Sequence, residues 1–122
     1  MASVVNAIVV DCADPERVAR FWAETLGWRL ERDGDGDLCL SASGDPHSGD
    51  FMLLFQHVPE PKTLKNRVHI DVNPTGCDQQ EEVERLLGLG ATRIDIGQGQ
   101  VSWVVLADPE GNEFCVLRTR HD

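Results

Sequence analysis

Residues 14–28, Asp14-Pro15-Glu16-Arg17-Val18-Ala19-Arg20-Phe21-Trp22-Ala23-Glu24-Thr25-Leu26-Gly27-Trp28, spell out a helix with both of its ends. Asp14 offers a carboxylate to the first turn, and Pro15 falls where a missing N–H is harmless. Val18, Phe21, Trp22 and Leu26 recur at helical spacing and give one apolar face. Gly27 supplies a left-handed stop. The pattern returns at Asp78, with Glu81 in capping-box spacing, Val83, Leu86 and Leu87 as the inner face, and Gly90 as the stop. Leu26-Gly27 and Leu89-Gly90 lie 63 positions apart. An internal repeat of this kind constrains architecture more than any single motif.

The flanks repeat as well. Before the first helix, Val4 to Val10 is β-branched and apolar, and reads as a buried strand. After it come Trp28–Glu31, a turn at Asp33-Gly34-Asp35-Gly36-Asp37, Leu38–Leu40, a polar loop from Ser43 to Asp50, and the apolar run Phe51–Phe55. Residues 57–66 hold two prolines and read as a connector. Val68–Val72 then opens the second round, and Ile94–Ile96, the turn Gly97-Gln98-Gly99, Val101–Leu106, the turn Asp108–Asn112 and Glu113–Leu117 complete it. The expected fold is α+β: two tandem β-α-β-β-β modules, about 4–56 and 67–118, within one domain spanning 1–122. Strand alternation puts Val68, Ile70 and Val72 on one face, and His69 and Asp71 on the other. Glu113, Cys115 and Leu117 likewise oppose Phe114 and Val116.

Composition narrows the function classes. The 122 residues are 41% hydrophobic and 26% charged, which is ordinary for a globular domain and excludes disorder. A formal charge of -10 repels phosphate backbones and anionic lipid, so nucleic acid and membrane surfaces are not expected partners. No apolar run approaches the roughly 20 residues of a membrane span, and the N-terminus has no signal-peptide pattern, so a cytoplasmic location is expected. Cys12, Cys39, Cys77 and Cys115 form no CxxC pair and read as free, half-buried thiols. The Asp33–Asp37 stretch fails as a calcium loop: its sixth position is Leu38 and its twelfth Gly44. Gly97-Gln98-Gly99 lacks the third glycine of a dinucleotide fingerprint.

Asp14-Pro15, Phe21-Trp22 and Leu26-Gly27-Trp28 in the first module, with Asn66-Arg67-Val68-His69-Ile70-Asp71 and Asp108-Pro109-Glu110-Gly111-Asn112-Glu113-Phe114 in the second, resemble the vicinal oxygen chelate superfamily. Its members include glyoxalase-like domain proteins, glyoxalase I, bleomycin-resistance proteins and extradiol dioxygenases. The resemblance covers about residues 4 to 118. It implies that each sheet curls into a half-barrel with ligand on the concave side and helices outside. It also implies metal ligands on the first and last strands of each module. The second module offers His69 and Glu113, an imidazole and a carboxylate suited to a divalent cation. The first departs: Ala7 stands at the first-strand position with Asn6 beside it, and the last-strand position falls near Phe51 or Leu53. Two protein ligands hold a catalytic cation poorly, so a bound divalent metal is not expected. Asp11, Asp71, Gln56 or His57 would have to complete a shell.

Two functions follow from the resemblance. One is a glyoxalase-like protein that binds a small organic molecule, a lyase or isomerase with a degenerate metal site. There His69 and Glu113 would transfer protons, since an imidazole changes charge near neutral pH and a carboxylate partner fixes its tautomer. Asp11, Gln56, Asp71, Trp103 and Cys115 would line the ligand site. The alternative is a non-catalytic protein of the bleomycin-resistance type that sequesters a cationic drug in an acidic, aromatic groove. A homodimer is implied in either case.

Overall fold

The computed structural model describes residues 2–43 and 51–122. The polar loop beyond Ser43, including Gly44, lies outside the described residues. The chain divides into two compact units after Pro61.

In the first unit the order is β1 (Ala7–Cys12), α1 (Pro15–Leu26), β2 (Arg29–Arg32), β3 (Leu38–Ser41) and β4 (Met52–His57). The four strands form one mixed sheet in the order β1-β4-β3-β2. β1 runs parallel to β4, and the other pairs are antiparallel. Asp14 caps α1 by accepting from the Arg17 amide, and Gly27 ends it at φ 68, a left-handed backbone that a side chain would strain. The buried face of α1 is Val18, Ala19, Phe21 and Trp22, and it meets Leu38, Leu40, Leu53 and Phe55 of the sheet as one core. Leu26 is only half-buried. The β2–β3 turn closes on itself: Asp33 Oδ1 accepts from the amides of Asp35 and Asp37, both at 2.9 Å. That is hairpin chemistry, with the carboxylate spent on backbone.

The second unit repeats the order with β5 (Ile70–Val72), α2 (Gln79–Leu89), β6 (Thr92–Arg93), β7 (Val104–Ala107) and β8 (Glu113–Val116). Its sheet order is β5-β8-β7-β6, the same permutation as in the first. Asp78 and Glu81 form the full capping box at the start of α2. Val83 and Leu86 are buried, and α2 packs on β8, whose Phe114 and Val116 are buried too. No helix among the described residues is long and apolar enough to cross a membrane.

Several boundaries differ from the sequence expectation. The strand expected at Ile94–Ile96 sits earlier, at Thr92–Arg93, because the Ile96 amide turns to Gln98 Oε1 and Gly97 bonds Asp95. β5 starts at Ile70, so Val68 precedes the ladder and is 78% exposed. β7 starts at Val104, leaving Val101 and Trp103 outside the ladder. The terminal residues are bonded: the His121 amide donates to the Pro74 carbonyl and Asp122 accepts from the Gly76 amide. Cys12 and Cys115 are buried and Cys39 and Cys77 half-buried, and none of the four is joined in a disulfide among the described residues.

Candidate functional site

β5 and β8 run side by side in parallel register, Ile70 with Phe114, Asp71 with Cys115 and Val72 with Val116. Phe114 and Val116 are fully buried, at 1% and 0% exposure, so the pleat turns Asp71, Glu113 and Cys115 to the opposite face. That face is where the polar side chains of the module collect.

Glu113 sits at the start of β8, 6% exposed. One carboxylate oxygen accepts from Lys62 Nζ at 2.8 Å and the other from the Asn66 amide at 3.0 Å. Burial pushes this carboxyl up, but the Lys62 hydrogen bond, the backbone donors and the Lys62 charge outweigh it and hold it below the usual carboxylate range. Asn66 is itself fixed by a 2.9 Å bond from its side chain to Asn112 Oδ1. Asn112 belongs to the Asp108–Asn112 turn, where buried Asp108 Oδ1 accepts from the amides of Glu110 and Asn112 at 2.9 and 3.0 Å. Gly111, at φ 91, provides the left-handed residue that the turn requires.

His69 lies just ahead of β5 and pairs with Asp71, Nδ1 to Oδ1 at 3.3 Å, both side chains about half-exposed. Asp71 also meets the buried thiol of Cys115. Burial first, then the Asp71 charge and its hydrogen bond, push that thiol up, while Lys65 draws it down. One ligand atom from each of His69, Asp71 and Cys115 lies within 4.8 Å of the other two.

The sequence profile of the glyoxalase-like domain matches residues 7–117, nearly the whole chain. The chain belongs to the glyoxalase-like domain family. Its structural neighbours share the fold of the vicinal oxygen chelate superfamily. Solved structures of the same fold include the fosfomycin resistance protein FosX from Listeria monocytogenes, at 15% identity, TM-score 0.69, and coverage of 98% of this chain and 93% of that one. FosX from Mesorhizobium loti gives 16% identity, TM-score 0.68, and coverage of 96% and 92%. Glyoxalase I from Leishmania major gives 15% identity, TM-score 0.63, and coverage of 96% and 87%. These identities establish the fold alone. No curated protein matches the chain in sequence.

Within this glyoxalase-like domain the site residues expected from sequence fall into separate groups. His69 is paired with Asp71 and not with Glu113, whose oxygens go to Lys62 and Asn66. Cys115 and Asp71 join His69. Trp103 is 40% exposed, two residues from Val105, which stands opposite Cys115 in the β7–β8 register. Asp11 and Gln56 belong to the first unit, where they are register partners on β1 and β4. Gln56 donates to Asp37 Oδ2 at 3.3 Å, and Asp11 is exposed. His57 ends β4, opposite Cys12, and is exposed.

The metal of the family fits poorly here. In the second module a lysine ammonium already neutralises Glu113, and an ammonium and a metal ion cannot share one carboxylate pocket at low cost. In the first module Ala7 stands opposite Met52 at the start of β1 and β4, so the register places Met52 where Phe51 or Leu53 was expected. A methyl and a thioether do not make a hard-cation site. His69 and Glu113 therefore do not fit the divalent cation of the family pattern. Lys62 and Asn66, in the stretch that the sequence reads as a connector, are the hydrogen-bond partners of Glu113. Only the Asn66-to-Asp71 motif hinted at one of them.

Proposed function

We propose that this glyoxalase-like domain binds a small organic molecule over the polar face of its second-module sheet and moves a proton on it, as a lyase or isomerase of small carbonyl compounds. The observation that carries the reading is the His69–Asp71 pair, 3.3 Å apart and accessible at 42% and 47% side-chain exposure. With Nδ1 turned to the carboxylate, Nε2 is the nitrogen left for a substrate. It would accept the proton from the carbon next to a carbonyl, the electron pair moving to the carbonyl oxygen. Asp71 would stabilise the imidazolium that forms, and Nε2 would return the proton to a neighbouring atom. Positioned proton transfer of this kind contributes about 10²- to 10⁴-fold in rate.

The test is hydrogen–deuterium exchange at the carbon beside the carbonyl, followed by NMR over a panel of small α-hydroxy aldehydes and ketones. Exchange catalysed by the wild type and reduced at least about a hundredfold in His69→Gln supports the reading. Equal rates for the two proteins overturn it.

A second reading has its own observation. Trp103 is exposed on a domain of net charge -10, a combination that suits a flat or aromatic cation. Sequestration of a cationic drug predicts a rise in melting temperature with bleomycin-like cations, and no shift across a panel retires it. Pairing of two copies is part of both readings. Its support is β1, an edge strand whose Ile8 and Val9 are 39% and 49% exposed. Light scattering that reports a monomer would remove it.

A further inference from the structure

The parallel register that sets Asp71 beside Cys115 does more than build a hydrogen bond. Because Phe114 and Val116 are locked in the core, β8 cannot rotate, and the Cys115 sulfur is held on the same face as the carboxylate across from it. His69, two residues before Asp71, adds an imidazole nitrogen to the group. Three different donor types, nitrogen, oxygen and sulfur, thus lie within 4.8 Å of one another. We propose that His69, Asp71 and Cys115 form a site for a thiophilic divalent cation, Zn²⁺ or Co²⁺, built from a different donor set than the His69–Glu113 pair of the family pattern.

The distances are close to what such an ion needs. Zinc bonds of roughly 2.0–2.3 Å in a tetrahedron put neighbouring ligand atoms about 3.3–3.6 Å apart. His69 and Asp71 already meet at 3.3 Å. The remaining contraction falls on two half-exposed side chains, which can move, and not on the thiol, which is 5% exposed and fixed. A thiolate with an imidazole selects zinc or cobalt over magnesium or calcium. Three protein ligands leave a fourth position for water.

The chemistry balances without any redox partner. The cation forms bonds to sulfur, nitrogen and oxygen, and the thiol proton and metal-bound waters go to solvent. Asp71 supplies negative charge to the ion, and the domain's charge of -10 adds to it. Lys65 repels an incoming cation but draws the thiol down, which favours the thiolate ligand, and its ammonium is exposed and donates to the Asn66 carbonyl at 3.2 Å. Glu113 is not needed, which is why the Lys62 ion pair is no obstacle. The site stands whether or not His69 transfers protons. Where it does, a bound cation occupies the imidazole and stops it.

Titration of the purified chain with Co²⁺ tests this without any substrate. The expected result is one equivalent bound, with a thiolate-to-cobalt charge-transfer absorption and the visible bands of a four-coordinate ion. Cys115→Ser should abolish the charge-transfer absorption, whereas a Cys39→Ser/Cys77→Ser double variant should keep it. His69→Gln alters an exposed side chain and so leaves folding intact. It should weaken Co²⁺ at least about tenfold, since even outer-shell changes lower metal affinity by about 10–100-fold. Glu113→Gln should leave the absorption in place. No charge-transfer absorption in the wild type at saturating Co²⁺, or one that survives Cys115→Ser, overturns the proposal. If Cys115→Ser does not fold, unchanged affinity in His69→Gln overturns it instead. Failure of proton exchange with a positive cobalt spectrum would reject the proposed activity and leave the metal site standing.

Discussion

The Lys62 ammonium lies 2.8 Å from a carboxylate oxygen of Glu113, across 51 positions of sequence. Both groups are largely withdrawn from water, at 19% and 5% side-chain exposure, so this is a buried ion pair and not surface decoration. Its presence changes what Glu113 can do. A carboxylate already matched by an ammonium and a backbone amide holds the connector onto β8, and its charge is no longer available to a cation.

Removing one partner of such a pair leaves the other stranded. Lys62→Met should therefore destabilise the domain by about 1–3 kcal/mol, as for a lost hydrogen bond to a charged group. Denaturant unfolding gives the value. The double variant Lys62→Met/Glu113→Gln should recover part of the loss, because it removes both charges together. A double variant no better than the sum of its parts would show that the pair carries no coupling.

The same pair sets an acid limit on stability. Glu113 is held below its ordinary range in the folded chain, so through that range the unfolded chain binds more protons. Its contribution is complete above the unfolded value, about 4.3, and is lost as pH falls through the lower folded one. Urea midpoints measured from neutral pH downward should fall less steeply in Glu113→Gln than in the wild type. Parallel acid limbs would contradict the assignment.

Asp108 is 3% exposed and its carboxylate accepts from the amides of Glu110 and Asn112 and from the Asn112 side chain. Asp108→Ala removes the acceptor on which these half-buried donors converge, a loss of about 1–3 kcal/mol. The Asn66–Asn112 bond depends on the same turn. Amide hydrogen exchange should therefore quicken at Asn66 as well as at Glu110. Loosening confined to the turn itself would show that the connector is held independently.

Gly27 closes α1 at φ 68 with open space around the position a Cβ would take. Gly27→Ala should lower stability by about 1–2 kcal/mol from backbone strain alone. Thermal melting reads it, and because nothing clashes, Gly27→Asn should restore part of the loss. Equal losses for alanine and asparagine would point to a steric cause.

How far the chain could be read without coordinates depends on how local the relevant physics is. Both helices, their Asp14 and Asp78 caps and their glycine stops appear where the sequence pattern puts them, since caps act within four residues. The repeated β-α-β-β-β order follows for the same reason. Ile94 and Ile96 look like strand residues, but β6 lies before them because the Asp95 and Gln98 side chains compete for the backbone. Alternation groups Val68 with Ile70 and Val72, but pairing with β8 begins only at Ile70.

By itself, the sequence determined the duplicated α+β module, the family it belongs to, and a second module with His69 where the first has Ala7. Which acid meets which base was decided by tertiary structure. His69 and Glu113 are of matching type, but alternation says only that they share a face. It took the β5–β8 register to put Asp71 beside Cys115, and the folding of the connector to deliver Lys62 to Glu113. Those contacts span more than forty residues of chain, and nothing in local propensity encodes them.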